Sequence, residues 1–380
     1  MRFPILFVLL TLTAASFAAP RAESAGLAAI PARMQELVNR SVIAGSVTLV
    51  AQQGKTVQLA AVGKADIAAG RAMKTDDLFW IASMTKPMTA VCVMMLAEQG
   101  RLRIDDPVSK FIPEFAGLRL GGGKPPRPVT IRDLLTHTGG LGDAQIASRA
   151  SLAERTVAYA HAPMKFAPGS RWDYSNAGFN TLGRVIEVVS GKSYATFLRQ
   201  RLLSPLGMSS TTFWPSPRRV AKAYRPGGGG LAETSIYANA GDMNDTSRPA
   251  LAAGGLFSTA SDVSRFYQMI LGGGSLGSRR ILGRETVRQM LTVQTGGMRT
   301  GTVEGVSWGL GFQIVRSPQG INAGLSTGSF GHGGSYATQS WADPRRDAVY
   351  VMMIQRGGYR DCDVTEPRKA FQDAATAALR

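Results

Sequence analysis

The stretch that most constrains this chain begins at Ser83-Met84-Thr85-Lys86-Pro87 and runs on to Gly100. Proline is tolerated only in the first turn of a helix, where backbone N–H groups have no intrahelical partner. Pro87 therefore sets a helix start at about Ser83, and Gly100 stops it. From Met88 to Ala97 only Thr89 is polar, so this helix is apolar on every face and must be buried. Surrounding it takes a large core, which 380 residues with 44% hydrophobic content can supply.

The rest of the chain is built around that helix. Residues 46–52 and 56–62 are β-type runs on either side of Gly54-Lys55, a hairpin signal. Helical stretches follow at 131–136, 151–160, 177–190 and 193–203, then at 260–271 and 284–292. After Gly296 the pattern turns to strands at 307–315, 328–333, 335–342 and 347–355, and an amphipathic helix covers 365–379. Strands at both ends with helices between predict an α+β fold. One antiparallel sheet, from about 45–65 and 305–355, is flanked by helices, with a mostly helical region inserted at about 100–250. The main domain spans 26–355, and 356–380 carries a helix that packs on the sheet. Gly227–Gly230 is expected to be a mobile surface loop.

Met1-Arg2, an apolar run from Ile5 to Ala15 and Ser16-Phe17-Ala18 have the layout of a secretory signal peptide, residues 1–18, cleaved after Ala18. This run is shorter than the about 20 apolar residues a membrane span needs. The expected location is secreted or periplasmic, with no integral membrane segment once the signal is removed. The net charge is +17, but basic residues cluster only as pairs such as Arg279-Arg280, so nucleic acid is not an expected partner. Two cysteines cannot form a disulfide scaffold, and no Cys/His cluster has zinc spacing. No metal and no cofactor are expected, and Cys92 and Cys362 are expected to be free thiols. The oligomeric state is not legible.

Ser83 and Lys86 lie one helical turn apart on the same face. A desolvated lysine can lose its proton and act as base toward a serine hydroxyl. The helix N-terminus adds positive potential where an oxyanion forms. With 29 Ser and 10 Lys in the chain, roughly one Ser-x-x-Lys arises by chance. An N-cap serine beside a snorkelling lysine is the competing reading, and the buried helix behind the pair favours chemistry. Tyr174-Ser175-Asn176 precedes the helix at 177–190 and reads equally as an N-cap Asn with a packing Tyr; Tyr237-Ala238-Asn239 repeats the pattern in a Gly-rich loop. His332-Gly333-Gly334 lies between β-type runs, where paired glycines suggest a close approach to the backbone, such as a substrate's. A structural histidine fits there too. Gly273-Gly274-Ser275-Leu276-Gly277 imitates a nucleophile elbow but follows a helix and precedes a charged turn, so Ser275 is a turn residue.

Taken together these segments resemble the serine β-lactamase-related family: class C β-lactamases, D-alanyl-D-alanine carboxypeptidases and esterases of that fold. The similarity includes Phe79-Trp80-Ile81-Ala82, Leu134-Leu135-Thr136-His137-Thr138-Gly139-Gly140-Leu141 and Pro205-Leu206-Gly207-Met208. It continues through Gly254-Gly255-Leu256-Phe257-Ser258-Thr259 and Trp308-Gly309-Leu310-Gly311. The resemblance implies the β-lactamase/transpeptidase-like fold and these roles. Ser83 is the acylated nucleophile, and Lys86 and Tyr174 share the base work, with Tyr174 ionised or shuttling a proton. Asn176 orients Lys86 and the substrate, and the backbone N–H groups of Ser83 and Ser335 form the oxyanion hole. His332 stands where many lactamases carry the Lys of a Lys-Thr-Gly motif, with Gly333 and Gly334 lining the substrate.

That strand departs from the lactamase pattern. A neutral His332 supplies no fixed cation for a β-lactam carboxylate, and Gly333 supplies no hydroxyl. The expectation is an exported serine hydrolase cleaving an ester or small amide through an acyl-enzyme on Ser83, esterase-like, acting on a small-molecule ester, amide or peptide substrate. A D-alanyl-D-alanine carboxypeptidase or weak β-lactamase uses the same residues and is the alternative. A non-catalytic penicillin-binding sensor is a third reading, which the intact set of residues disfavours.

Overall fold

The computed structural model describes residues 20–236 and 241–379. The signal segment expected at 1–18 and the second tyrosine motif, at 237–239, lie outside the described residues.

Helix α1 (Pro20–Asn39), which the sequence reading did not include, leads into strands β1 (Gly45–Gln52) and β2 (Lys55–Asp66). Their turn has φ of 49° at Gln53 and 73° at Gly54, the paired positive values that match strand twist in a tight hairpin. A two-residue strand β3 (Arg71–Ala72) extends the edge, and β4 (Phe79–Trp80) leads through a 3₁₀ turn, Ala82–Met84, into α2 (Thr85–Glu98). Pro87 sits in the first turn of α2, and every residue from Thr85 to Leu96 is buried.

The inserted region follows with α3 (Ile131–Leu135), α4 (Leu152–His161), α5 (Asn176–Ser190) and α6 (Tyr194–Leu198). Each opens on a Thr or Ser (Thr130, Ser151, Ser175, Ser193) whose hydroxyl accepts a backbone N–H, satisfying donors the helix cannot. Strands β5 (Ala223–Gly227) and β6 (Gly230–Thr234) form a hairpin where a mobile loop was expected. Gly228 and Gly229, at φ 58° and 84°, are its turn. Next come β7 (Phe257–Ser258), paired with β4, and α7 (Ala260–Leu271). The small hairpin of β8 (Ser275–Leu276) and β9 (Arg279–Arg280) places Ser275 after a helix, with no elbow, and α8 (Arg284–Leu291) follows.

The run at 307–315 is two strands rather than one: β10 (Val306–Trp308) and β11 (Gln313–Val315). The chain reverses between them because Gly311 adopts φ 83° and Gly309 lies so close to Met290 O that a Cβ would stand 2.1 Å from it. Strands β12 (Phe330–Gly333), β13 (Gln339–Asp343) and β14 (Ala348–Met353) precede α9 (Glu366–Ala378). The β-run expected from 335 begins only at Gln339, because Gly334–Thr338 is a turn.

Eight of these strands form one antiparallel sheet in the order β10-β11-β12-β13-β14-β1-β2-β3, beside the two-stranded pairs β4-β7, β5-β6 and β8-β9. Its centre joins the two ends of the chain, with Val47–Gln52 against Met353–Ala348. Side chains alternate across it. Val47, Leu49, Val351 and Met353 face the main core, which contains α2, α5 and α7. Val50, Tyr350 and Met352 face α1 and α9 through Ile30, Met34 and Phe371.

Candidate active site

Pairing of Phe79 with Ser258 and the bond from Ile81 N–H to Leu256 O bring the chain to Ser83 at the head of α2. Ala82, immediately before it, holds φ 44°, a strained conformation for a residue with a Cβ. One turn on, Lys86 is fully buried. Its Nζ lies 3.2 Å from Ser83 Oγ, 2.8 Å from Asn176 Oδ1 and 2.6 Å from Ala253 O. Burial drives its pKa well below the usual lysine range. Once deprotonated, the amine has two N–H donors and one lone pair. The Asn176 and Ala253 oxygens can only accept, so they take the two donors, and the lone pair is left for the Ser83 hydroxyl.

Asn176 is free to do this because Ser175, not Asn176, caps α5: its hydroxyl accepts the Gly178 N–H. Tyr174 keeps 36% of its surface open, and its ring lies 4.7 Å from Lys86 Nζ. Burial raises its pKa, against an opposing contribution from the Ser83 hydroxyl. The resting phenol is therefore protonated rather than ionised. It stacks on His137 at 4.5 Å between ring centroids. His137 itself sits at φ 61° and accepts the Ser175 N–H on Nδ1. Burial, reinforced by Lys86 and His332, holds His137 neutral. Trp308 closes edge-on against both histidines.

On the opposite wall, β12 presents His332, which is 2% exposed. Its Nδ1–H donates to Gly333 O at 2.7 Å, while its buried Nε2 has no hydrogen-bond partner. Burial and Lys86 lower its pKa to about 4, so it carries no charge at neutral pH. The turn after β12 holds Ser335, whose carbonyl accepts from the Cys362 thiol at 2.8 Å. Cys92 is buried in α2, and both thiols are free.

A further residue enters beside Gly333. A Cβ built there would stand 2.1 Å from Asp363 Oδ1, so the absent side chain makes room for a carboxylate. Gln339 and Gln313 donate to its two oxygens at 3.1 and 3.0 Å. The buried Arg368 donates to the Asp363 carbonyl at 2.6 Å and stacks on Trp341, fixing this segment to the sheet.

Ser83, Tyr174, His332, Gly333, Gly334 and Ser335 share one cavity of about 750 Å³, with Lys86 and Asn176 behind Ser83. Trp172, Val303, Val306 and Trp308 form an apolar part of its lining, and Arg360, Asp361 and Asp363 a charged part. Sequence reasoning did not single out Trp172, His137, Trp308 or Asp363 as site residues. His137 and Trp308 stood in segments that carried the family likeness; Asp363 had no signal, since only the fold brings it to Gly333.

A family profile described as beta-lactamase matches residues 30–375. Esterase EstB of Burkholderia gladioli is 31% identical over 390 residues, covering 92% of this chain and 95% of its own. The D-alanyl-D-alanine-carboxypeptidase/endopeptidase AmpH of Escherichia coli (strain K12) is 33% identical over 207 residues, 52% of this chain and 49% of AmpH. Among solved structures, EstCE1, a hydrolase with promiscuous acyltransferase activity, superposes with a TM-score of 0.79 at 23% identity. It covers 94% of this chain and 99% of its own. The sheet, the buried helix behind Ser83 and these likenesses lead to one assignment: the chain belongs to the beta-lactamase family of serine hydrolases.

Proposed function

We propose that the protein is an esterase-like serine hydrolase that cleaves an ester through an acyl-enzyme on Ser83. Ser83 Oγ attacks the carbonyl carbon while its proton passes to the Lys86 lone pair. The Asn176 and Ala253 oxygens hold the amine in that orientation. The N–H groups of Ser83 and Ser335 receive the oxyanion. The protonated Tyr174 phenol, which lines the cavity with Ser83, passes a proton to the departing alkoxide and is reprotonated from Lys86. Water then attacks the acyl carbon by the reverse proton path, returning Ser83 Oγ–H.

The observation that carries the ester reading over the lactam reading is the charge at β12. A β-lactam or a peptide C-terminus brings a carboxylate. Here it would meet an uncharged His332 and the Asp363 carboxylate at the Gly333 position. The 31% likeness to esterase EstB over nearly the whole chain points the same way. Likeness to AmpH favours the second reading, a D-alanyl peptidase or penicillin-binding enzyme. Intact mass against time with a penicillin separates them. Turnover of a p-nitrophenyl ester with no lasting adduct supports the esterase, and a persistent adduct mapped to Ser83 overturns it.

Export is part of the proposal and rests on residues 1–18. Among the described residues no helix is long and apolar enough to cross a membrane. N-terminal sequencing of the native protein checks this reading; a chain beginning at Met1 refutes it.

A further inference from the structure

Resting on the esterase reading, we propose that Asp363 sets the specificity of the site, selecting esters whose alcohol portion carries a positive charge. The argument starts from how the carboxylate is held. Its two oxygens accept from the neutral amides of Gln313 and Gln339, and among the described residues no Lys or Arg pairs with it within 4 Å. A carboxylate offers about four acceptor positions, so two amide bonds leave capacity for a ligand. Arg368 hydrogen-bonds only the backbone of this residue and donates also to Gln372 and Asn322, so its nearby charge acts on the carboxylate without a direct pair.

The surroundings favour a cation too. Asp361 adds a second carboxylate to the cavity wall, bonded by the Thr302 hydroxyl and the Asp363 N–H, against the single exposed guanidinium of Arg360. On the cavity lining Asp361 and Asp363 outnumber Arg360, in a chain whose formal charge is +17, while the Arg368 guanidinium is held behind them against Trp341. His332, neutral and with its buried Nε2 unpartnered, stands next to Gly333 and adds no competing positive charge. The cavity thus has an apolar part, at Trp172, Val303, Val306 and Trp308, and an acidic part at Asp361 and Asp363, with Ser83 also on its lining. An acyl chain suits the first and a charged alcohol the second.

The test uses three butyrate esters that differ only in the alcohol: choline, its uncharged isostere 3,3-dimethylbutanol, and glycolate. Hydrolysis is followed by pH-stat on the wild type and on Asp363→Asn, and the readout is the ratio of kcat/KM between esters within each protein. The ratio cancels any general loss in the variant. In the wild type, choline is expected to exceed the neutral ester by about tenfold and glycolate to fall below it by a similar factor, as for a partly exposed charge pair. In Asp363→Asn both ratios collapse toward one. Gln313 can accommodate that variant by turning its unpartnered Oε1 toward the new amide. Should Asp363→Asn not fold, the wild-type series decides alone. Equal rates on all three esters, or ratios unchanged in the variant, overturn the inference and leave the esterase reading standing. No turnover of any ester by folded wild type overturns the esterase reading itself.

Discussion

Replacing Gly333 by alanine tests how tightly the Asp363 carboxylate is built against β12. The new Cβ would stand 2.1 Å from Asp363 Oδ1 and 2.6 Å from Gln339 Nε2, where unstrained contacts need about 3.5–4.0 Å. The Gly333 backbone lies outside the left-handed region, so alanine meets no conformational obstacle. On backbone grounds alone the change would stabilise by about 0.5–1 kcal/mol. Against that, the carboxylate must swing away and strain or lose its glutamine bonds, and overpacking of this kind costs about 1–3 kcal/mol. The net expectation is a loss of about 1–2 kcal/mol in Gly333→Ala. In Gly333→Ala/Asp363→Ala the overlap with the carboxylate is gone and only the contact with Gln339 is left, so the pair should be coupled favourably by about 1–2 kcal/mol. Urea unfolding of the four proteins at one pH gives the cycle directly. A Gly333→Ala protein as stable as wild type, or strictly additive effects, would refute the packing argument.

Ser83→Ala should lose at least about 10³-fold in kcat on a p-nitrophenyl ester with unchanged circular dichroism; retained turnover removes Ser83 from the chemistry. Lys86→Arg should be similarly inactive, because a guanidinium stays protonated and cannot act as base; activity within tenfold of wild type would rule out the lysine lone pair. Asn176→Ala removes one of two acceptors that orient Lys86, so kcat should fall about 10–100-fold, more than KM changes. A pure KM effect would make Asn176 a substrate contact instead. His332 has a folded pKa of about 4 against an ordinary 6.5. The unfolded chain therefore binds more protons in between, and stability is full above about pH 6.5 and falls as pH drops toward 4, by at most about 3 kcal/mol. His137 shifts in the same direction, so the His332→Asn difference isolates one histidine. Identical pH dependence in variant and wild type would show that His332 is not held neutral by the fold.

The parts of this architecture that were legible in the sequence are those with a local cause. Pro87 and the apolar run after it dictated a buried helix, and Pro/Gly turns separated the helical stretches of the inserted region. Ser83 and Lys86 could be paired because one helical turn separates them, whatever the rest of the chain does. The reversal inside 307–315 was hidden because its turn, Gly309-Leu310-Gly311-Phe312, is as apolar as the strands it joins, burying its backbone against Met290 instead of meeting water. Gly227–Gly230 has the composition of a flexible linker, and only the pairing of Ala223 with Thr234 turns it into a hairpin. The likeness named Asn176 as the residue that orients Lys86, while spacing alone read it as a cap. Asp363 lies 30 positions beyond the strand it complements, and no periodicity or motif connects a missing side chain to a carboxylate so far along the chain.

The pairing of β1 with β14 also dictates an order of events during synthesis. Gln52 and Val47 must wait for Ala348 and Met353, roughly 300 residues later, before the second edge of β1 is covered. At a ribosomal pace of about 5–20 residues per second, that interval is about 15–60 s. Through all of it the β1–β2 hairpin offers an open, strongly apolar edge to any other strand nearby. The half of the sheet bearing His332 and Ser335 is the last to be made, so the nascent chain carries that open edge until the strands that complete the site exist.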